Sequence, residues 1–265
     1  MPDPRPLAVV TGASSGIGLE LARCAAGEGC DLVIAAEDAR IEEAARELRA
    51  AGGTVEAVRA DLATEDGVLQ LWHVVGAREV DYLCANAGIV LGHHFVDQEW
   101  PRIRTLLGLN IVGTTLLLHR ALPRMQARGR GRVLVTGSIS GHVPGSGMAT
   151  YNASKAYLDN LAFALNDEMR ETGVTVTCLM PGPVETEAFD KGDVRDSAMG
   201  MLPFKDSPER VARLGWEAMK AGKAGMTPGL LNKLAVAFSG VIPAPILARL
   251  NAWATETEED GRKRA

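Results

Sequence analysis

The stretch LAVVTGASSGIGLELARCAAGE, residues 7–28, decides the fold. Leu7 to Thr11 is a short apolar run that reads as a buried strand. It ends in the glycine-rich turn Gly12-Ala13-Ser14-Ser15-Gly16-Ile17-Gly18, and Ile17 to Glu28 continues with helical spacing.

The same alternation runs outward along the chain. Strands are predicted at Asp31 to Ala36, Thr54 to Ala60, Val80 to Ala85, Arg132 to Thr136 and Val174 to Leu179. Helices are predicted between them, at Arg40 to Ala51, Thr64 to Ala77 with Thr64 as N-cap, Arg102 to Arg128, and Thr150 to Glu171 before Gly173. Pro123 suggests a kink or an early end to the long helix from Arg102. Strands and helices in this order imply βαβ units, a parallel sheet, and helices on both faces through right-handed crossovers. The expected fold is therefore α/β and doubly wound, as one domain over residues 1–265, with a frayed charged tail from Thr255 to Ala265.

Composition fits that reading. Of 265 residues, 46% are apolar and 23% charged, ordinary globular values that can form a core without disulfides or a structural metal. Aromatics are only 5%, which suits close helix-on-sheet packing. The net charge of −5, with no basic patch, argues against nucleic acid as a partner. Cys24, Cys30, Cys84 and Cys178 show no zinc spacing and sit in apolar surroundings, so they read as buried free thiols in a reducing, cytoplasmic setting, and no metal is expected. Met1 to Pro6 has no apolar stretch of its own, so no signal peptide is expected. Leu230 to Leu250 is apolar but is interrupted by Asn232, Lys233, Pro243, Pro245 and Arg249; it reads as an amphipathic helix and a Pro-broken turn, not a membrane span. A surface-dipping helix or a lid over an apolar substrate is the competing reading.

The glycine turn sits between a strand and a helix. Glycines there permit a sharp turn and close approach of a pyrophosphate, and the helix N-terminus offers N–H groups and a favourable dipole. The spacing is Gly-x3-Gly-x-Gly, and a turn that holds no nucleotide is the competing reading. Asp61-Leu62, after the third strand, offers a carboxylate to an adenine amino group, or else only a helix-terminal charge. Asn86-Ala87-Gly88 follows the fourth strand at the carboxyl edge, where open α/β sheets bind ligands. Glu37 and Asp38 stand about 20 residues past the glycine turn, where a carboxylate accepts from ribose hydroxyls and repels a 2′-phosphate. That favours NAD over NADP, although Ala36 is the residue expected to point at the ribose and Arg40 is near enough to swing in.

Tyr151 and Lys155 are four residues apart, on one helical face. A phenol has a pKa of about 10, and a neighbouring ammonium lowers it. Such a pair can exchange a proton with a substrate oxygen while hydride moves at carbon; a plain surface pair is the alternative. Ser138 ends the fifth strand, again at the ligand edge, where its hydroxyl can hold a carbonyl oxygen. Asn110 lies inside a helix, where asparagine is a poor former. It serves either to fix a water near Lys155 or to bond to neighbouring backbone.

Together these residues resemble the short-chain dehydrogenase/reductase family, over roughly Leu7 to Glu187. The glycine turn, Asp61, Asn86-Ala87-Gly88, Asn110, Ser138, Tyr151, Lys155 and Pro181-Gly182 follow the family's order, with Ser138 13 residues before Tyr151. The resemblance implies a Rossmann fold and a nicotinamide cofactor held by Gly12, Ser14, Ser15, Gly16, Ile17, Gly18, Glu37, Asp61, Leu62, Asn86, Ala87 and Gly88. It places Pro181, Gly182, Val184 and Thr186 beside the nicotinamide, with Thr186 at its carboxamide. It makes Tyr151 the general acid/base, and Lys155 the group that lowers its pKa and binds ribose. Ser138 then polarises the substrate oxygen, and Asn110 supports a proton relay. It also implies a homodimer or homotetramer through Arg102 to Arg128 and Thr150 to Glu171. The family's second strand ends in Asp or Ala-Arg; here Ala35-Ala36-Glu37-Asp38 stands instead.

A substrate loop is expected from Pro183 to about Pro208, with Phe189, Met199, Met201, Leu202 and Phe204 shaping an apolar pocket or else packing on their own domain. His93, His94 and His142 would line the pocket entrance or be merely solvated. The expected reaction joins a ketone and a secondary alcohol on a hydrophobic skeleton. The alternatives are a nucleotide-binding regulator or scaffold without turnover, and a related enzyme of epimerisation or dehydration.

Overall fold

The computed structural model describes residues 5–187, 192–194 and 205–255. Seven parallel strands form one sheet in the order β3-β2-β1-β4-β5-β6-β7. They are β1 Leu7–Thr11, β2 Asp31–Ala36, β3 Val55–Arg59, β4 Tyr82–Ala85, β5 Gly131–Thr136, β6 Val174–Leu179 and β7 Gly225–Met226. Helices α1 Gly16–Gly27, α2 Arg40–Arg49 and α3 Glu65–Val75 follow the first three strands. Then come α4 Trp100–Leu106, a π-helical turn Leu107–Gly113 and α5 Thr114–Arg128, which run on without a break. Helices α6 Ala149–Glu168, α7 Pro208–Lys220, α8 Leu230–Ser239 and α9 Ala244–Thr255 complete the order.

Both faces of the sheet are covered, so the central strands β1 and β2 are buried almost throughout and read as continuous apolar runs, while β3 keeps Arg59 exposed. In β1, Leu7 and Val9 face a core shared with Leu71 of α3, Leu118 of α5 and Leu158 of α6. Ala8 and Val10 face the opposite core, with Leu21 of α1, Ile41 of α2 and Trp216 of α7. One residue of slip would exchange the two sets.

The order reverses at β1, which pairs with β2 on one side and β4 on the other. The βα connections therefore leave in opposite directions there and open a crevice at the strands' carboxyl ends. The glycine turn, Asp61-Leu62, Asn86-Ala87-Gly88 and Ser138 lie along that edge.

Several boundaries differ from expectation. Thr64 caps α3 as expected, accepting from the Gly67 amide at 3.1 Å. Pro123 does not end its helix, which continues to Arg128. The stretch Trp100–Arg128 is long and apolar enough by composition to cross a membrane. Its apolar side, including Leu106, Leu117, Leu118 and Met125, is buried in the cores instead. Cys24 is partly exposed, whereas Cys30, Cys84 and Cys178 are buried. The apolar segment near the C-terminus forms α8 and α9 on either side of Pro243, with Leu230, Leu231, Phe238, Ile246 and Leu250 exposed. The sequence reading had missed α7 and β7. The tail residues 256–265 and the predicted pocket residues Phe189, Met199, Met201, Leu202 and Phe204 lie outside the described residues.

Candidate active site

The end of each strand is fixed first by threonine. Thr11 Oγ1 accepts from the amides of Asn86 and Ala87, both at 3.0 Å, and donates to the Cys84 carbonyl at 3.3 Å. Asn86 Nδ2 donates to the Thr11 carbonyl at 3.1 Å, and Asn86 Oδ1 accepts from Thr136 Oγ1 at 3.0 Å. The ends of β1, β4 and β5 are thereby joined across the switch point. Neither threonine was singled out from sequence. The available signal was Val-Thr-Gly at the close of both β1 and β5, Val10-Thr11-Gly12 and Val135-Thr136-Gly137.

The glycine turn wraps this junction. Gly12 has φ +68°, in the left-handed region that favours glycine. A Cβ on Gly18 would stand 2.1 Å from the Gly12 carbonyl oxygen, so this glycine lets α1 seat against the turn. Ser15 caps α1 without a side-chain bond, leaving the first-turn amides directed at the crevice.

One cavity of about 990 Å³ runs along this edge. Gly12, Ser14, Ser15, Gly16, Ile17, Glu37, Asp61, Leu62, Asn86, Ala87 and Gly88 line its first half; Ser138, Tyr151, Lys155, Pro181, Gly182, Val184 and Thr186 line the second. Gly18 and Asn110 stand behind the wall. Asn232 of α8, unforeseen in the sequence, also lines the cavity, and a Cβ on Gly182 would stand 2.5 Å from its Nδ2. His93, His94 and His142 are not among the lining residues.

Helix α6 presents Tyr151 and Lys155 to the cavity one turn apart. Lys155 is 5% exposed; its Nζ donates to the Thr136 carbonyl at 2.9 Å and lies 5.8 Å from the Tyr151 ring centre. Ser138 Oγ accepts from the Ser140 amide at 3.1 Å and faces Tyr151. The π-helical turn carries Asn110 inward, fully buried. Its Oδ1 accepts from the Ile89 amide at 3.0 Å, and its Nδ2 donates to the Ile89 carbonyl and to Ser154 Oγ, each at 3.0 Å. The extra residue in a π-turn is what allows an asparagine this deep position, and such turns collect at functional sites. Asn110 thus ties the Ile89 segment, 21 residues away, to α6.

Burial raises the Tyr151 phenol to about 12, against the pull of the Ser138 hydroxyl, and lowers Lys155 to about 8. In the free protein desolvation thus raises the phenol, where its spacing from Lys155 predicts a lowering. At neutral pH the site holds a protonated phenol beside a mostly cationic lysine.

At the far end, Ser14 Oγ donates to Asp38 Oδ2 at 2.8 Å, while Arg40 Nε donates to Asp38 Oδ1 at 3.1 Å. Arg40 also grips both oxygens of Glu187, at 2.8 and 2.9 Å. Burial opposes ionisation of Asp38, but the Ser14 and Arg40 hydrogen bonds together hold it below the usual carboxylate range.

Residues 6–195 match the short chain dehydrogenase family. The chain belongs to that family. A 1-deoxy-11-beta-hydroxypentalenate dehydrogenase of Streptomyces exfoliatus is 36% identical over 218 residues, covering 80% of this chain and 78% of that protein. Human 17-beta-hydroxysteroid dehydrogenase type 1 is 34% identical over 194 residues, 71% of this chain and 59% of that protein. A short-chain dehydrogenase from Sphingobium yanoikuyae, solved in complex with NADPH, superposes with a TM-score of 0.80 at 30% identity, covering 89% and 94% of the two chains. The bulky-bulky ketone specific alcohol dehydrogenase from Comamonas testosteroni gives 0.76 at 27% identity, covering 89% and 93%. This short-chain dehydrogenase is a nicotinamide-dependent oxidoreductase that moves hydride between its cofactor and a CH–OH or C=O carbon. A turnover-free nucleotide binder is not favoured.

The described residues fit such a cofactor. A Cβ on Gly88 would crowd Asn110 Oδ1 at 3.2 Å and Lys155 Nζ at 3.5 Å, and Gly12 and Gly16 bring backbone to the cavity where side chains would fill it.

Proposed function

We propose that this enzyme interconverts a ketone and a secondary alcohol on a hydrophobic skeleton, with Ser138, Tyr151 and Lys155 as its catalytic group and Asn110 behind them. The observation that carries this reading is the convergence of the Ser138, Tyr151 and Lys155 side chains on one wall of the cavity. Ile89, Val90, Leu109, Ile139 and Met148 supply the apolar lining beside them. Relatives named for hydroxysteroid, pentalenate and dehydrosphinganine chemistry support an apolar substrate.

The bound nicotinamide supplies or accepts the hydride. Ser138 donates a hydrogen bond to the substrate oxygen and orients it toward Tyr151. The Tyr151 phenol gives up its proton to that oxygen in reduction. Lys155 would hold the ribose hydroxyls of a bound cofactor and would offset the phenolate charge left behind. Asn110 braces the Ile89 turn and Ser154 beside these groups; its place in a proton relay is part of the proposal. Asp61 and Leu62 would hold the adenine, and Pro181, Gly182, Val184 and Thr186 the nicotinamide. Two further features are proposed: assembly as a dimer or tetramer through α4–α5 and α6, on which Val112, Tyr157 and Phe163 are exposed, and a cytoplasmic location, in keeping with free thiols.

NAD is the proposed cofactor. Glu37, Asp38 and Glu187 surround the edge where a 2′-phosphate would sit, and Arg40 is engaged by two of them. The test is reduced-nicotinamide absorbance with a panel of bulky ketones and both cofactors. Turnover is expected with kcat/KM for NADH at least ~10-fold above that for NADPH, a ratio narrowed in Asp38→Asn. Equal or better use of NADPH would reverse the assignment, and no turnover on any bulky ketone or secondary alcohol would discard the substrate class.

Lys155 also sets a pH expectation. Its ammonium is lost as pH rises through about 8 in the free enzyme. The kcat/KM for the reduced cofactor, which reports the free enzyme, is expected to fall above that pH with a slope approaching one decade per unit. A profile flat to pH 10 would remove Lys155 from the ribose.

A further inference from the structure

Asp159 is 3% exposed and follows Tyr151 and Lys155 on the same face of α6, at successive four-residue steps. It does not line the cavity. Its Oδ1 accepts from the Ser138 amide at 3.3 Å and from Cys178 Sγ of β6 at 3.3 Å. Its Oδ2 has no hydrogen-bond partner and lies 3.8 Å from His142 Nε2. Two glycines make room for it. A Cβ on Gly137 would stand 1.7 Å from Oδ1, and one on Gly141 would stand 2.2 Å from Oδ2. The turn from Gly137 to His142, which carries Ser138, is therefore folded directly onto this carboxylate.

A buried carboxylate is costly unless it is paired and hydrogen-bonded. An apolar residue would fill the same space between the glycines without that cost. The carboxylate's partners include the amide of one proposed catalytic residue and, through space, the ammonium of another.

We propose that Asp159 is a positioning residue for hydride transfer: it anchors the Ser138 turn to α6, and its charge keeps Lys155 cationic in a dry site. The inference rests on the catalytic reading of Ser138, Tyr151 and Lys155 given above. The groups facing Asp159 are Lys155 from its own helix, Ser138 and His142 from the turn, and Cys178 from β6. Burial, with Asp159 nearby, keeps Cys178 a neutral thiol, so it acts as a donor and not a second anion. Burial pulls Lys155 down, and the Asp159 charge opposes that pull. Burial also raises the carboxyl itself, against the Cys178 and Ser138 hydrogen bonds and the His142 and Lys155 charges.

Asp159→Asn tests the charge, because an amide oxygen keeps both accepted hydrogen bonds. Loss of the anion lowers the Lys155 pKa, so the alkaline fall in kcat/KM for the reduced cofactor should move down by about half to one pH unit. Gly137→Ala tests the anchor, because its Cβ would first meet the Asp159 carboxylate and Cys178 Sγ, whereas a Cβ on Gly141 would also strike the α6 backbone at Lys155. It should lower kcat about tenfold or more while leaving the KM for cofactor within about threefold and the alkaline limb in place. Should Asp159→Asn fail to fold, Asp159→Ser removes the same charge while its hydroxyl can still accept, and should move the limb in the same direction.

A limb unmoved in Asp159→Asn, or in its substitute, overturns the charge role; an unchanged kcat in Gly137→Ala overturns the anchor. Tyr151→Phe, assayed alongside, reports separately on the catalytic reading. Wild-type turnover in that variant would end both proposals, whereas its inactivity with an unmoved Asp159→Asn limb would end only this one.

Discussion

Tyr151→Phe should give a folded protein that binds reduced cofactor within a few-fold of wild type and turns ketone over about 10²–10⁴-fold more slowly. The substitution removes one oxygen from a ring packed against Leu91, Ile103 and Leu106, so the packing survives. What is lost is the proton donor. The free site holds that phenol at about 12, so at neutral pH it is protonated and ready for the reductive direction. Ser138 remains and still orients the oxygen, yet its hydroxyl is engaged with the Ser140 amide and the Pro181 carbonyl. Single-turnover kinetics with fluorescence titration of the cofactor separates the two effects. Retained turnover would exclude Tyr151 as the acid, and lost cofactor binding would mean that its hydroxyl holds the nucleotide instead.

Gly18→Ala should raise the KM for cofactor by about 100-fold, the scale of a 1 Å misplacement at a binding site. It should also destabilise the fold by about 1–3 kcal/mol through overpacking. The added Cβ would meet the Gly12 carbonyl oxygen at 2.1 Å and Asn86 Nδ2 at 2.6 Å. Both are fixed. Gly12 belongs to the turn itself, and Asn86 is held between Thr11 and Thr136. Helix α1 must therefore move away, taking its first-turn amides out of the crevice. Gly27→Ala, near the end of the same helix, is the control, since a Cβ there meets nothing within 4 Å. It should be neutral or stabilising by up to about 1 kcal/mol. Urea denaturation and cofactor titration on both variants distinguish the clash from a general loss of helix. Near-wild-type cofactor affinity in Gly18→Ala would mean that α1 is not seated by this glycine.

Local pattern carried most of the fold. The strands β1, β2 and β4 are apolar runs and β3, β5 and β6 are β-branched segments bounded by turn residues, and the helices between them show their periodicity or caps within one element. What escaped was non-local. Strand β7 is two residues long, too short to show a period, and exists because Cys178 and Leu179 of β6 pair with it. Pro123 reads as a breaker, yet the helix passes it because neighbouring packing holds Leu122 and Met125 in the core. The expected pKa of Tyr151 was set from its neighbour on the helix. Burial, which no spacing reveals, dominates it.

For the site, the sequence alone determined which residue types stand at the sheet's carboxyl edge and that Tyr151 and Lys155 share a helical face, because strand and helix periodicities are local properties of the chain. Only the tertiary structure decided that Thr11, Asn86 and Thr136 join three strands, that Gly18 serves packing and not the cavity wall, and that Asp159 lies under Ser138. The hydrogen bonds among Thr11, Asn86, Thr136, Ser138 and Asp159 join residues between 21 and 75 positions apart. They form when the two cores close on the sheet, a consequence of burial that no single segment encodes.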